Sequence, residues 1–210
     1  MHFKDRRQAG KQLANALSAY KGQDVVVYAL PRGGVVTGVE IAKYLHAPFD
    51  LLIPRKIGHP YNPEYAIAAV AENGDTVRNE EELAHVDPQW FKKAAAEQRA
   101  EAGRRRKLYL GDKKPAAASG KICIIVDDGL ATGLTMKTAI KELRRHNPKE
   151  IVVAVPVAPA DTVKEISKLA DDVAALYVPG GFFGAIGSYY QDFDQVSDEE
   201  VIALINSLKP

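Results

Sequence analysis

The sequence predicts an α/β fold built on a doubly wound, mostly parallel sheet, with a helical insert and a small C-terminal hood. Three observations predict it. Continuous apolar runs such as Val25–Leu30 and Ile122–Val126 suit strands buried on both faces. Segments of helical periodicity alternate with them, which is the rhythm of a parallel sheet covered by helices. Glycine-bearing loops follow two of these runs and open helices, where ligands of such sheets bind.

Composition agrees. The chain has 210 residues, 46% hydrophobic and 26% charged, enough for one domain with a sizeable core and too apolar for disorder. We expect a single domain over 1–210, including an insert at about 80–115 and a hood at about 179–210. The formal net charge of +1 offers no general field for nucleic acid or an anionic membrane. The one cysteine, Cys123, sits inside an apolar run and reads as a small core residue. The start, Met1–Arg7, lacks the apolar core of a signal peptide, and no apolar run is long enough to span a bilayer. A cytoplasmic location is the expectation.

In order along the chain, Ala9, Leu13, Ala16 and Leu17 mark one face of a first helix, closed by Gly22. The Val25–Leu30 strand runs into Pro31-Arg32-Gly33-Gly34, a helix from Val35 to about Leu45, and a strand near Phe49–Ile53: a βαβ unit with a right-handed crossover. The stretch from Gly58 to Tyr65 is too polar and proline-rich to read as strand, whereas Ala66–Arg78 reads as a hairpin around Asn73-Gly74-Asp75. From Glu80 to Leu110 the chain is helical and charged, with Pro88 suited to a first turn and Gly111 to a stop. The residues 113–120 form a short linker. Strands at Ile122–Val126, Ile151–Val157 and Val173–Val178 then alternate with helices at Leu134–Arg145 and Pro159–Ala170. A Gly-rich aromatic stretch from Pro179 to Phe193 precedes a last helix capped by Ser197, with Asp198-Glu199-Glu200 in its first turn.

The chemistry concentrates after the Ile122–Val126 strand. Asp127-Asp128 stand at its end, and Ala131-Thr132-Gly133-Leu134-Thr135 then offers successive amides and two hydroxyls at a helix N-terminus, a cradle for a phosphate. Gly133 lets the backbone approach an anion. The carboxylates can accept bonds from vicinal ribose hydroxyls, directly or through a magnesium ion. An acidic N-capping turn without ligand is the plain alternative, but it does not require an acidic pair, Thr-Gly and Thr at these offsets.

This motif resembles the signature of the type I phosphoribosyltransferases. The resemblance implies that Asp127 and Asp128 contact the ribose of 5-phosphoribosyl pyrophosphate (PRPP), with any metal contact mostly indirect, and that Ala131, Thr132, Gly133, Leu134 and Thr135 hold the 5-phosphate. It also implies that Pro31-Arg32-Gly33-Gly34 is the pyrophosphate loop, which in that family often carries a non-proline cis peptide, and that Arg55-Lys56 adds to the pyrophosphate region. Arg32 and Lys56 are then candidates for stabilising the leaving group, and Gly33, Gly34 and Arg55 for binding it. The residues 58–65 fall near the family's mobile loop, which shields the reacting centre. Mg2+ is the implied cofactor, carried mostly by substrate oxygens.

One residue departs from the pattern. Members specific for 6-oxopurines use an aspartate as base at the first phosphate-loop position, where this chain has Ala131. That leaves the acceptor open, as a small nitrogenous base, with a nucleobase as in nucleotide salvage the leading expectation. Phe182 and Phe183 in the hood are candidates to stack on it, against the alternative of a packed aromatic cluster. The cations of the insert, among them Lys92, Lys93, Arg99, Arg104, Arg105, Arg106 and Lys107, alternate with Glu97 and Glu101 without stacking aromatics. They read as a solvated helix face more than an RNA surface, though the helix could also cover the site or form a homodimer contact. The resemblance covers roughly residues 20–60 and 120–180. It predicts an enzyme that transfers the phosphoribosyl group and releases pyrophosphate. The alternatives are a non-catalytic PRPP-sensing regulator of the same fold and a PRPP synthetase-like kinase, the last disfavoured by the absence of a nucleotide P-loop.

Overall fold

The computed structural model describes residues 2–182 and 185–208. In chain order its elements are α1 (Arg6–Ala16), β1 (Val25–Ala29), α2 (Gly33–Leu45), β2 (Phe49–Leu51), β3 (Arg55–His59), β4 (Asn62–Val70), β5 (Thr76–Arg78), α3 (Glu80–Leu83), α4 (Pro88–Leu110), β6 (Ile122–Val126), α5 (Leu134–Arg144), β7 (Glu150–Val157), α6 (Ala160–Ile166), β8 (Asp172–Tyr177) and α7 (Asp198–Asn206). Five strands form a parallel sheet in the order β2-β1-β6-β7-β8. The predicted α/β class and parallel sheet are what the molecule has.

Successive strand residues point to opposite faces, and both faces here meet helices. Val25, Val27 and Ala29 pack with α1, α2 and α7, while Val26, Tyr28 and Leu30 pack with α5 and α6. This double burial is why the strands read as unbroken apolar runs. Cys123 lies in the second layer, fully buried, and burial pushes its thiol up to about 11, so it is a core residue. On α1 the buried alanines are Ala9 and Ala14; Ala16, expected on the inner face, is exposed. The second strand stops at Leu51, two residues before the predicted end, and α6 stops at Ile166, four before.

A second sheet corrects the reading of 58–65. Instead of an irregular loop, β3 and β4 form an antiparallel hairpin with His59 opposite Asn62, continued by β5. Its root is apolar: Ile57, Ala68 and Val70 pack on Trp90, Phe91, Ala94 and Ala95 of α4. Its tip is solvated, with Tyr61 91% exposed. A hairpin held by its own backbone pairing needs no apolar alternation at the tip, so the sequence pattern misses it. Pro63 is tolerated because β5 faces only Ala68–Val70, leaving β4 without a second partner at Pro63.

The insert helix α4 begins at Pro88 under the cap of Asp87 and ends at Gly111, as expected. Phe182, Ile186, Tyr189, Tyr190 and Phe193 cluster with Phe3 from the amino end, which bridges Tyr190, whereas Val196, Val201 and Ile205 of the α7 region belong to the main core.

Candidate active site

The register of the sheet brings two loops together. β1 and β6 are neighbours, with Ala29 opposite Val126, so the loops that follow them leave the same edge side by side. They line a cavity of about 230 Å³ with Arg32, Gly33, Lys56, Asp127, Asp128, Ala131, Thr132, Gly133 and Thr135 on its wall, joined by Pro54 and Ile186. The amino ends of α2 and α5 both border it, giving exposed amides and two positive dipole ends. A larger groove of about 900 Å³ lies at the other end of the sheet, around His46, Phe49, Tyr109 and Leu208. Among the described residues it has volume without converging loop amides and carboxylates.

Local geometry explains the glycines. A Cβ at Gly33 would fall inside the Asp128 carboxylate, and one at Gly34 would lie 2.8 Å from the Val126 carbonyl oxygen. The two loops can therefore pass each other only with glycine there. Gly133 caps α5 with φ 72°, a left-handed conformation that side chains disfavour. The peptide bond between Pro31 and Arg32 is cis.

The acidic pair is asymmetric. Burial, and then the charge of Asp128, raise the Asp127 carboxyl well above the usual carboxylate range. Asp127 Oδ1 accepts the Asp128 amide at 2.9 Å. Asp128 Oδ2 accepts Arg6 Nε at 2.6 Å, and its carbonyl accepts the Tyr190 hydroxyl at 2.6 Å. The Arg6 guanidinium also lies 3.6 Å from the centre of the Phe193 ring and donates to the Asp194 carbonyl. Arg32 Nη1 lies 3.7 Å from Asp198 Oδ1, which accepts the Tyr109 hydroxyl at 2.5 Å. Burial, aided by that bond, pushes the Tyr109 hydroxyl up to about 12.

Several expected residues lie off the wall. Arg55 donates to Gln98 of α4 at 3.1 Å, and burial, followed by the nearby Arg105, lowers its pKa. Gly34 packs under the acidic pair and Leu134 opens α5. Phe182 stacks on Tyr189, with ring centres 5.4 Å apart, as part of the aromatic cluster. Phe183 lies outside the described residues. Sequence reasoning misses Arg6, Tyr190 and Ile186. Arg6 stands 122 positions from Asp128, and its neighbour Arg7 makes the pair look like an ordinary solvated helix start.

Comparison with known proteins adds an independent line. A family profile described as "Phosphoribosyl transferase domain" matches residues 4–189. MT0597 of Mycobacterium tuberculosis, which carries a phosphoribosyl transferase name, is 41% identical over 206 residues, covering 97% of this chain and 46% of its own length. The chain thus spans about half the length of the curated relatives it matches. Among solved structures, TT1426 from Thermus thermophilus superimposes with a TM-score of 0.82 at 40% identity, covering all of both chains. AQ2163 from Aquifex aeolicus, with a TM-score of 0.51 and 14% identity over 82% of this chain and 74% of that one, shares the fold.

Proposed function

The chain belongs to the phosphoribosyl transferase domain family, and from that premise we propose that it transfers the 5-phosphoribosyl group of PRPP to a small nitrogenous base and releases pyrophosphate. The observation that carries this reading is one cavity that joins the acidic pair, the α5 amino end and the Arg32-Gly33 loop. In this reading the amides of Ala131–Thr135 hold the 5-phosphate. Asp127 and Asp128 grip the ribose hydroxyls, accepting their hydrogen bonds. Arg32, Gly33 and Lys56 receive the pyrophosphate, whose departing charge they stabilise. Holding both anionic ends fixes the anomeric carbon for an oxocarbenium-like displacement. The β3–β4 hairpin carries Lys56 near its root and is the segment suited to cover the bound donor.

Mg2+ is the expected companion. Among the described residues no group of three or more His, Cys, Asp or Glu side chains is arranged to enclose a metal. Of the described residues, Asp127 and Asp128 alone present carboxylates to this cavity, a donor set that fits an ion carried chiefly by substrate oxygens and water. When bound, it would offset pyrophosphate charge. The acceptor is proposed only as a nitrogenous base, because Ala131 supplies no side-chain base. Ile186, from the hood, lines the same cavity and is the aliphatic surface such a base would meet.

The test is pyrophosphate release from PRPP and Mg2+ with a panel of purines, pyrimidines and other amines. Release with at least one acceptor is expected, and Asp128→Asn should lower it on the order of 100-fold in protein that still shows a cooperative melt, at a lower temperature because Arg6 loses its partner. Tight PRPP binding without release from any acceptor would instead assign the chain to PRPP sensing.

A further inference from the structure

A second cavity, of about 580 Å³, lies away from the transferase site between the β1–β2 side of the sheet, α4, α5 and the 115–119 linker. Glu142 of α5 lines it, is only 7% exposed, and has a buried Oε2 with no hydrogen-bond partner among the described residues. An orphaned buried carboxylate oxygen is costly, so it asks for a partner. The neighbouring cations are committed elsewhere. Arg106 donates to Glu72 at 2.5 Å, to the fully buried Asp50 at 3.3 Å and to the Leu51 carbonyl at 2.6 Å. Arg145 forks onto Asp75, and Lys141 donates to the Thr76 carbonyl. Asp50, Glu72 and Glu142 thus line the cavity against one guanidinium and His146, and the rest of the wall is largely apolar, with Leu52 and Leu143.

We infer that this cavity binds a small organic cation, an amine head on an apolar body, whose ammonium group meets Glu142. The three carboxylates favour the positive head, and the aliphatic wall favours the body. Burial, with Glu72 and Asp75 adding to it and Arg106 opposing it, pushes the Glu142 carboxyl up to about 7. An ammonium ion favours the ionised carboxylate, so uptake should strengthen as pH rises through that value. The inference stands independently of the transferase reading.

Calorimetric titration of the full chain with tryptamine, benzylamine and agmatine, beside the neutral tryptophol and benzyl alcohol, tests it. At about pH 8 we expect tryptamine or benzylamine to bind about 10-fold or more tightly than its alcohol, and to weaken at about pH 6. Glu142→Gln should lose about 10-fold of that affinity, and Glu142→Leu serves if the glutamine variant fails to fold. Binding of none of the three amines, equal binding of amine and alcohol, or indifference to the Glu142 substitution would overturn the inference.

Discussion

Gly33 shows how narrowly a loop motif can be constrained by one neighbour. The close approach to the Asp128 carboxylate leaves no room for a methyl group. Gly33→Ala should therefore abolish measurable PRPP binding in a calorimetric titration and cost about 1–3 kcal/mol in urea unfolding, the usual range for overpacking. Arg6 makes the complementary case. It and Asp128 are 12% and 14% exposed, so breaking their pair leaves a largely desolvated carboxylate. Arg6→Ala should lower stability by about 3 kcal/mol in the same assay; an unchanged midpoint would show that the pair contributes nothing. The acidic pair and the Ala131–Thr135 loop are legible in the sequence because they are contiguous in the chain. Arg6 and Tyr190 are not, because nothing local in sequence ties them to Asp128.

Elements are most legible where burial imposes a period. Each strand of the parallel sheet shows in the sequence, since both of its faces meet helices, and α4 shows with both of its ends because Asp87, Pro88 and Gly111 are chemical stops. The β3–β4 hairpin escapes because its tip is solvated and proline-bearing, so pairing rather than patterning makes it. On α4 the ion pairs of Glu101 with Arg104 and Arg105 hold the glutamate down at about 2, and Arg106 turns inward to Asp50 and Glu72. On α5, Glu142 supplies a pH test. Its carboxyl rises from 4.5 to about 7 on folding, so the folded state binds the extra proton. Stability contributed by the neutral form is present at about pH 4.5 and below and is lost as pH rises to about 7, by roughly 3 kcal/mol at 1.4 kcal/mol per unit. Urea melts should show the wild type losing stability relative to Glu142→Gln across that window.

For the whole molecule, the balance of charge argues against nucleic acid. A net charge of +1 and the pairing of Arg104, Arg105 and Arg106 with carboxylates leave no dense basic face on α4. Filter binding with a single-stranded RNA at about 0.15 M salt should show no retention. Among the described residues no helix is long and apolar enough to cross a membrane. The loops after β1 and β6 meet because those strands are adjacent, although α2, β2, the second sheet, α3 and α4 all lie between them in the chain.

Local information in the chain sufficed for the α/β class, the buried strands and the two loops that face the candidate site, because periodicity, caps and glycine-bearing turns are written in neighbouring residues. Tertiary structure alone decided that Arg6 reaches Asp128, that Phe182 joins an aromatic cluster, that residues 58–65 pair as strands, and that Glu142 Oε2 is buried without a hydrogen-bond partner among the described residues. Those outcomes depend on which distant groups share a low-dielectric space and which backbones lie side by side, and no spacing along the chain records either.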